Sequence, residues 1–153
     1  MILRTARFFP EEDDRQDVRD DYENANVKAN EYLYRRVDLQ DTVAAHLLAM
    51  ERSPAIGFAR YIISATTPFT REDLADLRSD TPRVVKRLFP DYEVEYARRG
   101  WKMFPSVERV YVNARARSEL GWYPRYDFRY VLDRLKAGQD SLNDPPSRTQ
   151  GTS

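Results

Sequence analysis

Ten tyrosines and a single histidine are among the side chains of this chain that could exchange a proton with a substrate. A cation one helical turn beyond a tyrosine lowers the pKa of the phenol and prepares it for that role. No tyrosine has a lysine four residues later, although Tyr111 and Tyr130 are followed at that spacing by Arg115 and Arg134. Such spacings are common on solvated helix faces, so we interpret both as ordinary side-chain contacts. His46 has no second histidine or cysteine with which to share a metal, and we favour a structural role for it over a catalytic one.

Composition excludes several other kinds of site. No two of the five glycines lie within ten residues of each other, which excludes the glycine-rich turn that holds the pyrophosphate of a dinucleotide. The chain has no cysteine, so disulfides, zinc–thiolate sites and thiol nucleophiles are excluded together. The basic charge is carried by 21 arginines and only 4 lysines, and the planar guanidinium suits bidentate recognition of phosphates and carboxylates.

The charge and hydropathy of the chain predict a cytoplasmic protein. The formal net charge is zero, so neither nucleic acid nor an anionic membrane attracts the chain as a whole. The first ten residues are too short for the apolar core of a signal peptide and are followed by acidic residues instead of a cleavage site. No apolar run approaches the roughly 18 residues that span a bilayer. We therefore expect neither nucleic acid nor a membrane as a partner.

The strongest local signals lie in the run N-A-R-A-R-S-E-L-G-W-Y-P-R-Y-D-F, which starts at Asn113. Asn113 is a good N-cap for a short helix, and Gly121 can adopt the left-handed conformation that ends it. Trp122 is then free to enter a core, while Pro124 holds the following residues extended. Asp127 begins a last helix, whose apolar residues at helical spacing are Phe128, Val131, Leu132 and Leu135.

The first half of the chain predicts a strand and two helices. The apolar strand, Ile2–Phe9, has no obvious sheet to join, and Asp21–Tyr34 predicts a polar helix with few apolar positions. A stronger amphipathic helix is expected over Gln40–Glu51, ended by Pro54 and Gly57. Its apolar stripe consists of Val43, Leu47 and Met50, widened by Ala44 and Leu48.

The second half predicts further short strands and helices. These are a strand over Phe58–Ser64, a helix over Thr70–Leu77 with a capping box from Thr70 and Asp73, a helix from Pro82 to Phe89, and a strand over Val107–Val112. The last helix ends near Ala137, and the polar residues 138–153 predict a disordered tail. We therefore predict an α/β (α+β) fold over residues 1–137, with a small mixed sheet and several helices.

Four segments, in this order, resemble the C-terminal part of the NAD-dependent epimerases and dehydratases, which are extended short-chain dehydrogenases. They are M-I-L-R-T-A-R-F-F-P, Y-R-R-V-D-L-Q-D-T-V-A-A-H-L-L-A-M, Y-I-I-S-A-T-T-P-F-T-R-E-D-L and the run that starts at Asn113. The resemblance extends from about Met1 to Leu135 and covers less than half of a typical member. It implies the substrate-binding lobe together with the last strands of the nucleotide-binding sheet, without the N-terminal Rossmann half.

The resemblance also shows which features of the family this chain lacks. The family holds NAD(P) with a glycine-rich turn and exchanges protons through a Tyr-x-x-x-Lys pair, and neither is present here. We therefore expect no catalytic residue in this chain and no cofactor bound by the chain alone, NAD(P) being implied for the complete enzyme.

A substrate site is implied as well. Family members place arginines near the strand before the helix that matches Gln40–Glu51 here, and polar residues of the preceding helix, against a nucleotide sugar or another polar substrate. The matching neighbourhood here contains Asn26, Lys28, Asn30, Arg35 and Arg36. A guanidinium at this place can hold a diphosphate through two parallel hydrogen bonds. The alternative is surface ion pairing with Glu31, Asp38 or Asp41.

The sequence is consistent with two kinds of protein partner. In the first, a separate nucleotide-binding half completes a truncated or split enzyme, to which this chain contributes the substrate-binding lobe. In the second, the chain is a non-catalytic binding or scaffold module that forms a homodimer, or docks on a complete relative, through the strand Ile2–Phe9. An unpaired strand readily adds to another chain, which is why both depend on this segment.

Overall fold

The structure is a computed structural model that describes residues 1–139. In chain order, its elements are β1 (Ile2–Thr5), α1 (Gln16–Asp21), α2 (Asn24–Glu31), α3 (Leu39–Ile56), β2 (Arg60–Ile63), α4 (Leu74–Leu88), α5 (Tyr92–Arg99) and α6 (Phe128–Lys136). A short 3₁₀ turn, Arg71–Asp73, precedes α4, and a π-helical turn, Ala116–Leu120, lies between α5 and α6. The fold is therefore α/β and mostly helical.

The predicted tail starts at residue 138, and all of it from residue 140 onward lies outside the described residues. Within residues 1–139, none of the helices is long and apolar enough to cross a membrane.

β1 and β2 form a small parallel sheet, so the prediction that the first strand has no sheet to join is wrong. The pairing starts with Ile2 beside Arg60 and ends with Thr5 beside Ile63. The sheet is parallel throughout and not mixed, because the chain passes from β1 to β2 through three helices and returns in the same direction.

β1 is shorter than the predicted strand Ile2–Phe9, and residues 35–37 pair with the chain just after it. Arg7 forms an isolated parallel bridge with Arg36, and the carbonyl of Arg36 accepts a hydrogen bond from the N–H of Ala65, which follows β2. The segment before α3 therefore connects the ends of both strands.

α3 buries the side opposite to the predicted one. Its buried side consists of the small or polar residues Asp41, Thr42, Ala45 and Ala49. The predicted apolar stripe is exposed, with Val43, Leu47 and Met50 at 51, 62 and 73% of their full accessible surface. The two alanines let the helix backbone approach the sheet closely, and this contact determines which side of α3 is buried.

Of the two residues predicted to end α3, Gly57 is confirmed, whereas Pro54 lies within the last turn of the helix. A proline lacks the N–H that would bond to the carbonyl four residues earlier, which here belongs to Met50. The hydroxyl of Ser53 donates to that carbonyl at 3.2 Å instead. Gly57, with a φ of 72°, follows the last turn and ends the helix.

Two apolar clusters stabilise the fold. The first connects the sheet to α3 and the π-helical turn, with Ala45, Tyr61, Ile63, Leu120 and Trp122 among its members. The second is larger and connects α2, α4, α5 and α6, with Ala29, Leu77, Tyr96, Phe128 and Leu132 among its members.

Most of the predictions for the run that starts at Asn113 are confirmed. Gly121 has a φ of 73° and ends the π-helical turn, and Trp122 is buried. Asp127 caps α6 by accepting a hydrogen bond from the N–H of Tyr130, and the four predicted apolar residues of α6 are buried. Asn113 directly precedes the first helical residue, Ala114, as predicted, but its side-chain oxygen accepts from the Nε of Arg117 instead of a backbone N–H, and its buried amide donates to the carbonyl of Ser64 after β2.

The capping box predicted before α4 is confirmed. The N–H of Thr70 donates to Asp73 at 2.9 Å, and the hydroxyl of Thr70 donates to the same carboxylate. The two helices predicted before and after Pro82 are confirmed as the two helical segments of α4, which meet in a kink at Asp80, whose dihedral angles are not helical. The predicted strand Val107–Val112 has no regular secondary structure and pairs with no strand among residues 1–139, so that prediction is wrong.

Asp91 links the start of α5 to α6, and we expect it to make stability dependent on pH. It accepts hydrogen bonds from Arg129 at 2.6 and 3.2 Å and pairs with Lys136 at 2.5 Å. The hydrogen bond from Arg129 lowers the pKa of Asp91 well below its usual value of 3.8, against the opposing effect of partial burial and with help from Lys136. The carboxylate therefore stabilises the fold above pH 3.8, and this contribution is lost as the pH falls through the lowered pKa.

Asp91→Asn is expected to lower the free energy of unfolding by about 1 kcal/mol at pH 7. The difference from the wild type should shrink as the pH falls below 3.8, because Asp91 is then protonated in the unfolded chain while it stays ionised in the folded one until the pH reaches its lowered pKa. Urea unfolding of both proteins at neutral and acidic pH measures this. A difference that does not change with pH contradicts the prediction.

Candidate functional site

A cavity of about 860 Å³ is lined mainly by arginine and tyrosine side chains. Its lining consists of Arg15, Tyr34, Arg35, Arg78, Ser106, Val107, Glu108, Arg109 and Tyr111. The volume is within the range of about 300 to 1,000 Å³ that small-molecule sites occupy. Four guanidinium groups around one concave surface suit an anionic ligand, because arginine binds phosphates and carboxylates in a planar, bidentate way.

The kink in α4 brings two of these arginines together. Pro82 has no N–H, and its ring would clash with the carbonyl of Arg78 four residues earlier, so the helix opens at this place. The freed groups bind the extended residues 105–111: the N–H of Val107 donates to the carbonyl of Leu77 at 2.9 Å, and the N–H of Thr81 donates to the carbonyl of Pro105 at 3.1 Å. Residues 106–109 are thereby fixed beside the turn of α4 that carries Arg78.

The same extended segment is tied to the residues after α2. The N–H of Tyr111 donates to the carbonyl of Tyr34 at 2.8 Å, and the guanidinium of Arg35 lies 5.3 Å from the centre of the Tyr34 ring. Burial raises the pKa of Tyr34 far above its usual value, against the opposing charge of Arg35. The phenol therefore stays protonated at neutral pH and is suited to donate a hydrogen bond to a ligand.

Arg35 also belongs to a buried network of ion pairs. Glu31, which is 1% exposed, pairs with Arg35 at 2.8 Å, with Arg36 at 3.0 Å and with Arg7 at 3.2 Å. Asp13 pairs with Arg7 at 2.6 Å and closes the network. Two acidic residues thus hold Arg35 in place at the edge of the cavity.

Arg78 and Arg109 supply the charge that a ligand would meet. Within residues 1–139 neither of them has an ion-pair or hydrogen-bond partner, whereas Arg15 and Arg35 are already paired with carboxylates. Among the described residues that line the cavity, Glu108 is the only acidic one, so the two unpaired guanidinium groups outnumber it by one charge. The site therefore attracts an anion.

Of the five residues predicted to bind substrate, the structure places Arg35 alone in the lining of this cavity. Asn26 and Asn30 lie one turn apart on α2, and the side-chain amide of each donates to the carbonyl of Lys102 at 3.0 Å. Asn30 also accepts a hydrogen bond from the hydroxyl of Tyr96 at 2.7 Å. Both asparagines are buried and hold the segment after α5 against α2.

The other two predicted residues are buried as well. The ammonium group of Lys28 donates to the carbonyl of Pro10, and burial lowers the pKa of Lys28. The guanidinium of Arg36 donates to Glu31 at 3.0 Å and to the carbonyl of Phe9 at 2.5 Å. The polar atoms of Lys28 and Arg36 bond to other groups of the chain. Of the five predicted residues, Arg35 is therefore the one that is placed to contact a substrate in this cavity.

Arg78, Arg109 and Tyr111 line the cavity but were not predicted as site residues, although the sequence contains one signal for Arg78. None of the residues three or four positions from Arg78 on α4 is acidic, so no ion pair along the helix can neutralise its charge. Arg109 offered no such signal, because its position depends on the contact between the extended segment and α4.

Neither a metal site nor a catalytic histidine is supported by the described part of the chain. It contains no group of three or more histidine or acidic side chains that could hold a metal ion. His46 is exposed on α3, and its Nδ1 lies 2.8 Å from the carbonyl of Thr42, one turn earlier. That contact favours the structural role predicted for it.

Comparison with known proteins gives no relative: no family model, no curated protein and no solved structure matches this chain. The epimerase/dehydratase resemblance is accordingly a proposal.

Proposed function

We propose that this chain is the substrate-binding lobe of an NAD(P)-dependent epimerase, dehydratase or oxidoreductase of the extended short-chain dehydrogenase family. The cavity around Arg35, Arg78 and Arg109 is the observation that carries the proposal, since it offers an anionic substrate a concave site rich in guanidinium groups. A nucleotide sugar, with its diphosphate against the arginines and its sugar towards Tyr34 and Tyr111, fits this chemistry.

The lobe is not expected to hold NAD(P) or to turn over substrate alone. A dinucleotide pyrophosphate needs glycines in front of a helix, where N–H groups point at the phosphates. The four glycines of residues 1–139 all follow a helical segment instead; they are Gly57, Gly100, Gly121 and Gly138. The residues present do not fit the cofactor, which is why the proposal requires a separate nucleotide-binding half.

Pyrophosphate tests the anion site without the rest of a substrate. We expect saturable binding by isothermal titration calorimetry at low salt, and we expect Arg109→Gln and Arg78→Gln each to weaken it about tenfold. The reason is that a hydrogen bond to a charged group contributes about 1.5 to 3 kcal/mol, and about 1.4 kcal/mol corresponds to a factor of ten.

The matched control is Arg98→Gln, which removes one positive charge from an arginine of α5 that pairs with Glu95 and does not line the cavity. This variant should bind pyrophosphate as the wild type does. Equal weakening by all three substitutions would indicate nonspecific attraction, and the cavity would then not be the site.

A second candidate function is a non-catalytic binding or scaffold module that forms a homodimer, or docks on a complete relative, through the strand segment Ile2–Phe9. The exposure of Ile2 and Phe9, at 42 and 59%, favours it, together with the position of β1 at the edge of a sheet of only two strands in the described residues. Nucleotide-sugar binding separates the two functions, because only a retained substrate cavity predicts that binding saturates.

A further inference from the structure

Four large apolar side chains form an exposed stripe along α3. Leu39, Val43, Leu47 and Met50 retain 57, 51, 62 and 73% of their full accessible surface. They recur every three or four residues and therefore lie on one side of the helix. None of the four positions carries a charge, and a contiguous apolar surface of this kind marks a site of interaction.

The two ends of this α3 stripe differ in shape. Beside Leu39 lies a cavity of about 200 Å³, whose wall also includes Phe8 and Val37. At the other end Met50 protrudes, and its unbranched side chain adapts well to an irregular cavity. Eleven residues separate the two ends, which is about 16 Å along a helix.

We propose that a second copy of this chain covers the α3 stripe in an antiparallel helix pair. The two-fold axis passes between the two helices at the height of Ala45 along α3. The stripe is spaced almost evenly about this residue, so the axis brings Val43 opposite Leu47 of the second copy and Leu39 opposite its Met50. Each Met50 then reaches the cavity beside Leu39 of the other copy. The contact is isologous, because the same surface serves both chains.

Charge does not oppose the pairing of two copies. The stripe itself is uncharged, so it selects no charged partner, and the net charge of the chain is zero, so two copies do not repel each other. A single patch of this kind covers about 300 to 600 Å², less than the 800 Å² or so that each partner buries in a stable complex. The dimer is therefore weak and dissociates at micromolar concentrations.

Sedimentation velocity of the full 153-residue chain tests this between about 1 µM and about 200 µM. The wild type should change from monomer to dimer over this range, and Met50→Lys should stay monomeric throughout. Val94→Lys is the matched control, since Val94 is 54% exposed on α5, and it should dimerise like the wild type. A wild type that is monomeric at every concentration overturns the proposal, and so does a dimer that Met50→Lys leaves intact.

The chain has no cysteine, so single cysteines can report the direction of the helix pair. In the antiparallel arrangement, a mixture of Val43→Cys and Leu47→Cys variants should form a disulfide between the two different variants on mild oxidation. Disulfides only between identical variants would indicate a parallel pair, and either this result or the absence of any disulfide contradicts the proposal.

Discussion

Replacing Trp122 by alanine is expected to lower the free energy of unfolding by about 4 kcal/mol, the typical cost of truncating a buried tryptophan. Trp122 is 3% exposed and belongs to the cluster between α3, the sheet and the π-helical turn. Its indole N–H donates to the carbonyl of Asp41 at 3.0 Å. The substitution therefore leaves a cavity and removes a link between the start of α3 and the corner after Gly121.

Urea unfolding followed by far-ultraviolet circular dichroism measures this loss, since that signal does not depend on the indole. Tyr123→Ala is the matched control, because the neighbouring tyrosine is 67% exposed. We expect the control to change the free energy of unfolding by less than about 0.5 kcal/mol. Similar losses in both variants would show that Trp122 is not a core residue.

Replacing Glu31 by glutamine is expected to cost about 3 kcal/mol, close to the effect of breaking a buried ion pair by removing one partner. The carboxylate of Glu31 is almost fully buried, and so is the Arg36 guanidinium that pairs with it, at 5% exposure. Glutamine keeps the shape of the side chain but leaves that guanidinium without its counter-charge. Thermal and urea unfolding should both record the loss.

The control for this substitution is Glu93→Gln. Glu93 pairs with Lys86 at 3.0 Å, and both side chains are about half exposed. Exposed pairs of this kind contribute less than about 1 kcal/mol. If Glu31→Gln were no more destabilising than Glu93→Gln, the network around Arg35 would not be a structural support of the cavity.

Local signals in the sequence were sufficient for the ends of several helices. The capping box of Thr70 and Asp73, the left-handed Gly121 and the cap at Asp127 each depend on residues within three or four positions. The sequence therefore predicted them correctly. The burial of Trp122 followed from the same corner.

Contacts between distant segments were not predictable in this way. α3 has an alanine side and a side of larger apolar residues, and only the presence of the sheet shows that Ala45 and Ala49 face inward. The pairing of β1 with β2 connects residues almost sixty positions apart, and no local pattern indicates it. α5 was missed, although Tyr92 and Tyr96 lie on its buried side one turn apart.

The candidate site was predictable only in part for the same reason. Arg35 was one of the five residues that the resemblance implied, but Arg78 and Arg109 line the same cavity through the kink in α4 and the hydrogen bonds that it frees for residues 105–111. The asparagines of α2 looked available in the sequence because polar residues usually face solvent. Their partner, the backbone of Lys102, lies more than seventy residues away.

Titration of the isotope-labelled chain with UDP-glucose, followed by the chemical shifts of its backbone amides, tests the proposed substrate lobe most directly. We predict saturable shifts centred on Arg35, Arg109 and Tyr111, which line the cavity, and no turnover when NAD(P) is added to the chain alone. The absence of saturable shifts at these residues would contradict the proposal, and so would NAD(P)-dependent turnover by the isolated chain.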